Sequence, residues 1–298
     1  MKIYINLMYY NIIITVIFIT NMLCNPLVKS VKPIMLKKLS SKQLMMSQDI
    51  DPCIEKRIKH KKIISISPGG FKGFYQFGIC KFIKEHYDLD NYVFSGASAG
   101  AWNSLALCYK GNHSNVEDVL LSQDMQNVKT IKELKDMVRH KIISNFKSED
   151  FELDRLFVGT TAIDKYQRKT IIYGGFDSLE DAVNCCIASS HIPLVTGGLH
   201  NFYRNVPHYD GGFSKHPYLD DKDIVIHIRP DIWKKDKKEK SSIFKISDYT
   251  TLFSRHNFSF KDMIDQGYED SKKNKEYLDS IFRVGKPTVS PTTPSLDG

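Results

Sequence analysis

The sequence predicts an α/β fold, a sheet with helices on its faces, and three observations lead there. Between Lys62 and Tyr109 two strand–turn–helix units follow one another, each a short apolar run and then apolar residues at helical spacing. Both turns are rich in glycine, as a tight reversal from strand to helix requires. The chain has 298 residues, 42% hydrophobic and 26% charged, the composition of a globular protein rather than a disordered or fibrous one.

Taken in order, residues 1–24 form an apolar segment. Lys2 is the one charge before Cys24, and Leu7–Leu23 is dominated by aliphatic and aromatic residues, diluted by Tyr9, Tyr10, Asn11, Thr15 and Thr20. This run lies at the short end of the roughly 17–25 residues that span a bilayer. A single-pass anchor is expected, with a cleaved signal peptide or a buried core helix as rivals. Asn21, Met22, Leu23 and Cys24 offer no small-x-small cleavage site.

Residues 25–61 form a basic linker. The formal net charge is +8, and residues 1–62 carry all of it, with eleven Lys/Arg against three Asp/Glu. A basic run beside an apolar segment fits contact with an anionic membrane surface through residues 25–62. The positive-inside tendency then places the domain that follows on the cytoplasmic face, whereas signal cleavage would make it secreted. Beyond Lys62 there is no basic surplus and no aromatic RNA-binding motif, so no nucleic-acid partner is expected. No obligate protein partner is evident.

The domain expected over residues 62–285 opens with the strand Ile63–Ser67, the turn Pro68–Gly73 and a helix from Phe74 to His86. A strand at Tyr92–Ser95 runs into Gly96-Ala97-Ser98-Ala99-Gly100 and a helix to about Tyr109. Amphipathic helices are expected over Asn115–Met125 and Ile131–Ile143, and strands over Leu156–Ile163 and Lys169–Tyr173. Asp177, with Glu180 three residues on, has the spacing of a capping box for a helix ending near Ser189. Ile224–Ile228 reads as a strand and Lys234–Lys240 as a charged loop. Phe260–Phe282 reads as a long amphipathic helix, and residues 286–298 as a disordered tail rich in Pro, Ser and Thr. Six cysteines without a C-x-x-C pair exclude a disulfide scaffold and a structural zinc site, and Cys80, Cys108, Cys185 and Cys186 fit small core positions.

The chemistry begins with Gly96-x-Ser98-x-Gly100. In a nucleophile elbow the chain turns so sharply that only glycine fits on either side, and the serine hydroxyl is left at the start of a helix. The positive end of that helix favours charge developing on a nearby oxygen. The turn Gly69-Gly70-Phe71-Lys72-Gly73 can bring backbone N–H groups up to a substrate oxygen. A phosphate cradle is its functional rival, but neither a Walker A pattern nor G-x-G-x-x-G is present. For a base, His216, His227 and His256 follow the serine in triad order, and none is marked by its turn. Asp210-Gly211-Gly212 stands out more: a carboxylate held against Ser98 can take its proton directly.

These segments, with Ser189-Ser190-His191-Ile192-Pro193 between them, stand in the order and at the spacing of the patatin-like phospholipases, which the chain resembles from about Lys62 to Arg229. The resemblance implies a three-layer α/β/α sandwich with a mainly parallel central sheet. It implies hydrolysis of lipid acyl esters by a Ser/Asp dyad, with no cofactor and no metal. Ser98 is then the nucleophile and Asp210 the base, with an oxyanion hole at Gly69, Gly70, Phe71, Lys72 and Gly73. Gly96 and Gly100 flank the elbow, and Gly211 and Gly212 complete the base motif. The chain departs from the family at Pro68, where glycine is usual and proline has no N–H to donate, and at Ser67, where an acid is usual.

The expected function is hydrolysis of a phospholipid or neutral lipid of the phospholipase A or lipase type. The alternatives are a weak or inactive lipid-binding relative, a Ser/His/Asp esterase and an acyltransferase.

Overall fold

The computed structural model describes residues 52–126, 128, 130–164, 167–214, 216–219, 223–233 and 259–283. The strand elements are β1 (Lys62–Ile66), β2 (Tyr92–Ala97), β3 (Leu156–Asp164), β4 (Gln167–Gly174), β5 (Asn201–Tyr203), β6 (Val206–Tyr209) and β7 (Ile224–Ile228). The helices are α1 (Pro52–Ile58), α2 (Gly73–His86), α3 (Ala99–Leu107), α4 (His113–Leu120), α5 (Ile131–Asn145), α6 (Leu179–Ser189), α7 (Phe260–Lys273) and α8 (Lys275–Phe282).

All six residues of β2 are buried, and so are the last four of β1, because both faces of a parallel sheet are covered. The strands run in the order β5-β6-β3-β2-β1-β7, with β4 also on β3. The central run β3-β2-β1-β7 is parallel throughout, while β4, β5 and β6 add antiparallel pairs at one side. Side chains alternate across this sheet with a period of two. Ile64, Ile66, Phe94, Leu156 and Val158 face a large core shared with α2, α3, α6 and α7. Ile63, Val93 and Phe157 face the opposite side, where Ile54 and Ile58 of α1 and Leu219 cover them. The result is the mixed α/β architecture read from the sequence, a mostly parallel sheet flanked by helices.

Backbone contact locks α7 to α2. A Cβ on Gly78 would stand 2.0 Å from the Ile264 carbonyl oxygen, and one on Gly267 would stand 2.0 Å from that of Tyr75. At the start of α7, Phe260 stacks on Phe74 at 4.1 Å and lies parallel to Phe71 at 6.2 Å, so this helix also braces the glycine turn after β1.

Several local expectations shift. The cap of α6 is Ser178, whose extended backbone lets Oγ accept from the Asp181 N–H at 3.1 Å; the spacing is as read, one residue later than Asp177. The helix expected over 115–125 is α4 followed by a single turn, Gln123–Gln126. The short strands β5 and β6 were not anticipated. The charged loop Lys234–Lys240 and the tail at 286–298 lie outside the described residues.

The single-pass N-terminal anchor, and the cytoplasmic placement built on it, is corrected. No helix among the described residues is long and apolar enough to cross a membrane. The longest, α5, has 15 residues, short of the roughly 20 that a bilayer requires, and is interrupted by charge. Leu7–Leu23 itself lies outside the described residues.

Candidate functional site

The site forms at the carboxyl ends of β1 and β2, where open α/β sheets place their ligand crevices. Register explains why. On one edge of β3, Ala97 of β2 pairs parallel with Gly159, and Tyr209 of β6 pairs antiparallel with Thr161. The two strands therefore run toward each other, and the next residue of each, Ser98 and Asp210, falls at the level of Thr160.

Ser98 has φ +54° and ψ −125°, a strained conformation for any residue but glycine, and it is 6% exposed. It occupies the N-cap of α3, yet its hydroxyl makes no cap bond. Oγ donates instead to Asp210 Oδ2 at 2.7 Å. Two glycines permit the turn: a Cβ on Gly96 would meet the Gly100 carbonyl oxygen at 2.3 Å, and one on Gly100 would meet that of Ile66 at 2.2 Å. The Ser98 N–H donates to Ser189 Oγ at 2.8 Å, and that hydroxyl donates to the Gly159 carbonyl at 2.6 Å. Ser189 thus ties the elbow to β3.

Asp210 is 1% exposed, and every oxygen it carries has a partner. Oδ1 accepts from the Gly212 N–H at 2.7 Å, Oδ2 accepts from Ser98, and its backbone carbonyl accepts from Thr161 Oγ1 at 2.9 Å. Its own N–H donates to the His191 carbonyl at 2.7 Å. Burial pushes the carboxyl up to about 7, against the two hydrogen bonds to the carboxylate, which favour ionisation. Gly211 has no space for a side chain, since a Cβ there would lie 2.6 Å from both the Ala97 Cβ and the Gly159 carbonyl oxygen.

The glycine turn lies beside the elbow. A Cβ on Gly73 would stand 2.7 Å from the Ala99 Cβ, and Asn103 of α3 donates to the Gly73 carbonyl at 3.0 Å. Gly70 has φ +53° and open space where a side chain would stand, so a substrate oxygen can come up to the backbone here. Phe71 is buried and Lys72 exposed. Beneath the turn the buried Gln76 donates from Nε2 to the carbonyls of Ser67, at 3.0 Å, and Ile228, at 3.1 Å, joining the ends of β1 and β7. Ser67 donates to the Pro68 carbonyl at 3.1 Å.

Of the histidines in triad order, neither described one hydrogen-bonds Ser98. His216 is exposed, His227 hydrogen-bonds Ser65 across β7 and β1, and His256 lies outside the described residues. His191 is nearer in the chain to Asp210's partners, but its Nδ1 faces Thr196 Oγ1 at 3.3 Å and burial lowers its pKa to about 4. Cys80, Cys108, Cys185 and Cys186 are buried, and among the described residues no group of His, Cys, Asp and Glu is arranged to hold a metal ion. Ser189, Gln76 and Thr161 were not singled out from the sequence. For Ser189 the signal was present in the Ser-Ser-His-Ile-Pro segment.

A model of the patatin-like phospholipase family matches residues 64–220, more than half of the chain, and the match spans the glycine turn, the elbow and the Asp-Gly-Gly segment. No curated protein matches the chain.

Proposed function

The chain belongs to the patatin-like phospholipase family, and on that premise we propose that it hydrolyses lipid acyl esters with Ser98 as nucleophile and Asp210 as the sole general base. The observation that carries this reading is the 2.7 Å hydrogen bond from Ser98 Oγ to the buried Asp210 carboxylate. As Oγ attacks the ester carbonyl carbon, its proton passes to Oδ2. The carbonyl oxygen becomes an oxyanion, held by N–H groups early in the Gly69–Gly73 turn, since those of Lys72 and Gly73 donate to carbonyls within it, and favoured by the positive end of α3. Collapse of this intermediate expels the alcohol, which leaves with the proton from Asp210. Water then attacks the acyl-enzyme, gives a proton to Asp210, and the fatty acid departs as Ser98 regains its hydroxyl.

A carboxylate with a pKa near 7 is a stronger base than an ordinary aspartate, which supports its working without a histidine. Release of fatty acid from phospholipid vesicles tests the reading. Ser98→Ala and Asp210→Asn should each lower kcat/KM by on the order of a thousandfold or more. Wild-type release no greater than that of Ser98→Ala would refute hydrolysis, and full activity in Asp210→Asn would refute the dyad.

A further inference from the structure

Four large apolar side chains are exposed among the described residues, and three of them, Leu194 (55%), Leu199 (48%) and Phe202 (67%), fall in the short segment between α6 and the end of β5. That segment adjoins the site directly. Ser189 holds the Ser98 N–H and the His191 carbonyl holds the Asp210 N–H, and the chain then runs straight into the exposed loop. The loop is built, because the Leu194 N–H donates to the Gly198 carbonyl at 3.2 Å and Lys135 Nζ donates to the Thr196 carbonyl at 2.7 Å. Leu194 has φ +64°, a left-handed conformation that is uncommon for a bulky side chain, and it presents that side chain to solvent. Strain held for an exposed leucine has no return in the packing of the free protein.

Charge identifies the occupant. From Ser189 to Tyr203 the chain contains no Asp, Glu, Lys or Arg, although 26% of its residues are charged. A protein or nucleic-acid partner engaged by charge would find no charged side chain within this segment, whereas a zwitterionic lipid surface needs only apolar side chains to enter its acyl region. We propose that Leu194, Leu199 and Phe202 form a docking patch for a neutral phospholipid surface, which seats the mouth of the site where the substrate ester lies. The patch spans nothing. It rests on the lipid-hydrolase reading for its purpose but not for its measurement.

The test places an indole in the patch by Phe202→Trp, in the full chain, and reads its signal as the difference from the wild type, whose Trp102 and Trp233 supply the background. On adding phosphatidylcholine vesicles in about 0.5 M NaCl, where long-range charge attraction is screened, emission of the new indole should shift to the blue. Phosphatidylcholine with brominated acyl chains should then quench it. In parallel, the combined variant Leu194→Asn, Leu199→Ser, Phe202→Ser should lose roughly tenfold in hydrolysis of vesicle lipid at limiting lipid. It should keep the wild-type rate on a soluble short-chain ester. Asparagine suits φ +64°, so the variant relieves backbone strain. An indole that stays solvent-like and unquenched beside vesicles overturns the proposal. So does a blue shift in concentrated lipid-free protein, which would mean that a second copy covers the patch. If neither ester is hydrolysed by the wild type while quenching occurs, the hydrolase reading fails and the docking patch stands.

Discussion

Ser98 and Asp210 approach from opposite directions along one edge of β3 and meet with 2.7 Å between Oγ and Oδ2. Neither residue is carried to the other by a flexible loop. Each is the first residue past a strand whose register β3 sets, so the hydrogen-bonded pair inherits the precision of the sheet.

Activity should follow the ionisation of one carboxyl. In the proposed mechanism Asp210 must be unprotonated to accept the Ser98 proton, and burial holds its pKa near 7. The expected profile of kcat/KM on a soluble ester rises with pH, inflects near 7, and falls about tenfold for each unit further into acid. An inflection near 4 would mean that the carboxyl is solvated during turnover.

The same shift has a cost in stability. Between an ordinary aspartate value of 3.8 and about 7 the folded state holds a proton that the unfolded state gives up. Stability therefore falls as pH rises through that window and is level above it. Asp210→Asn carries no charge; its Oδ1 can still accept from the Gly212 N–H, and its Nδ2 can donate to Ser98 Oγ in place of accepting from it. It should raise Tm by several degrees at pH 8, with the gain vanishing toward pH 4. A Tm at pH 8 equal to or below that of the wild type would contradict this.

Ser189→Ala leaves two buried backbone groups, the Ser98 N–H and the Gly159 carbonyl, without their partner. About 1–3 kcal/mol of stability should be lost in denaturant unfolding. If Ser98 is the nucleophile proposed above, the lost bond positions it, and kcat should fall roughly tenfold with KM little changed. A stability loss with unaltered kcat would leave Ser189 a purely structural role.

Gly211→Ala drives a methyl group to within 2.6 Å of the Ala97 Cβ and the Gly159 carbonyl oxygen. Overpacking of this kind costs about 1–3 kcal/mol, and here it also pushes Asp210 away from Ser98. Lower Tm and lower activity are expected together. Adding Ala97→Gly, which removes one of the two clashing atoms, should restore part of both.

Much of the site was legible because its constraints are local. The glycines at 96 and 100 mark the elbow through steric needs that hold in any strand-to-helix turn, and the apolar runs at Ile63–Ile66 and Tyr92–Phe94 mark strands buried on both faces. The strands β5 and β6 were hidden. They have three and four residues, include Pro207, and are joined by Arg204 and Asn205 at positive φ, so no alternating pattern had room to appear. Asp210 was visible as an acid in a glycine turn, but the strand that delivers it was not.

The sequence by itself determined the α/β grammar and the glycine-flanked serine at its elbow, because each depends on neighbours within a few residues, whereas the pairing of that serine with the Asp-Gly-Gly segment was what the family resemblance implied. Only the tertiary structure decided that β2 and β6 share one edge of β3, that Ser189 clasps the elbow, and that three apolar side chains stand exposed beside it. It also decided the basicity of Asp210, since a carboxyl's pKa is set by the solvent it loses, and burial is a property of the whole fold.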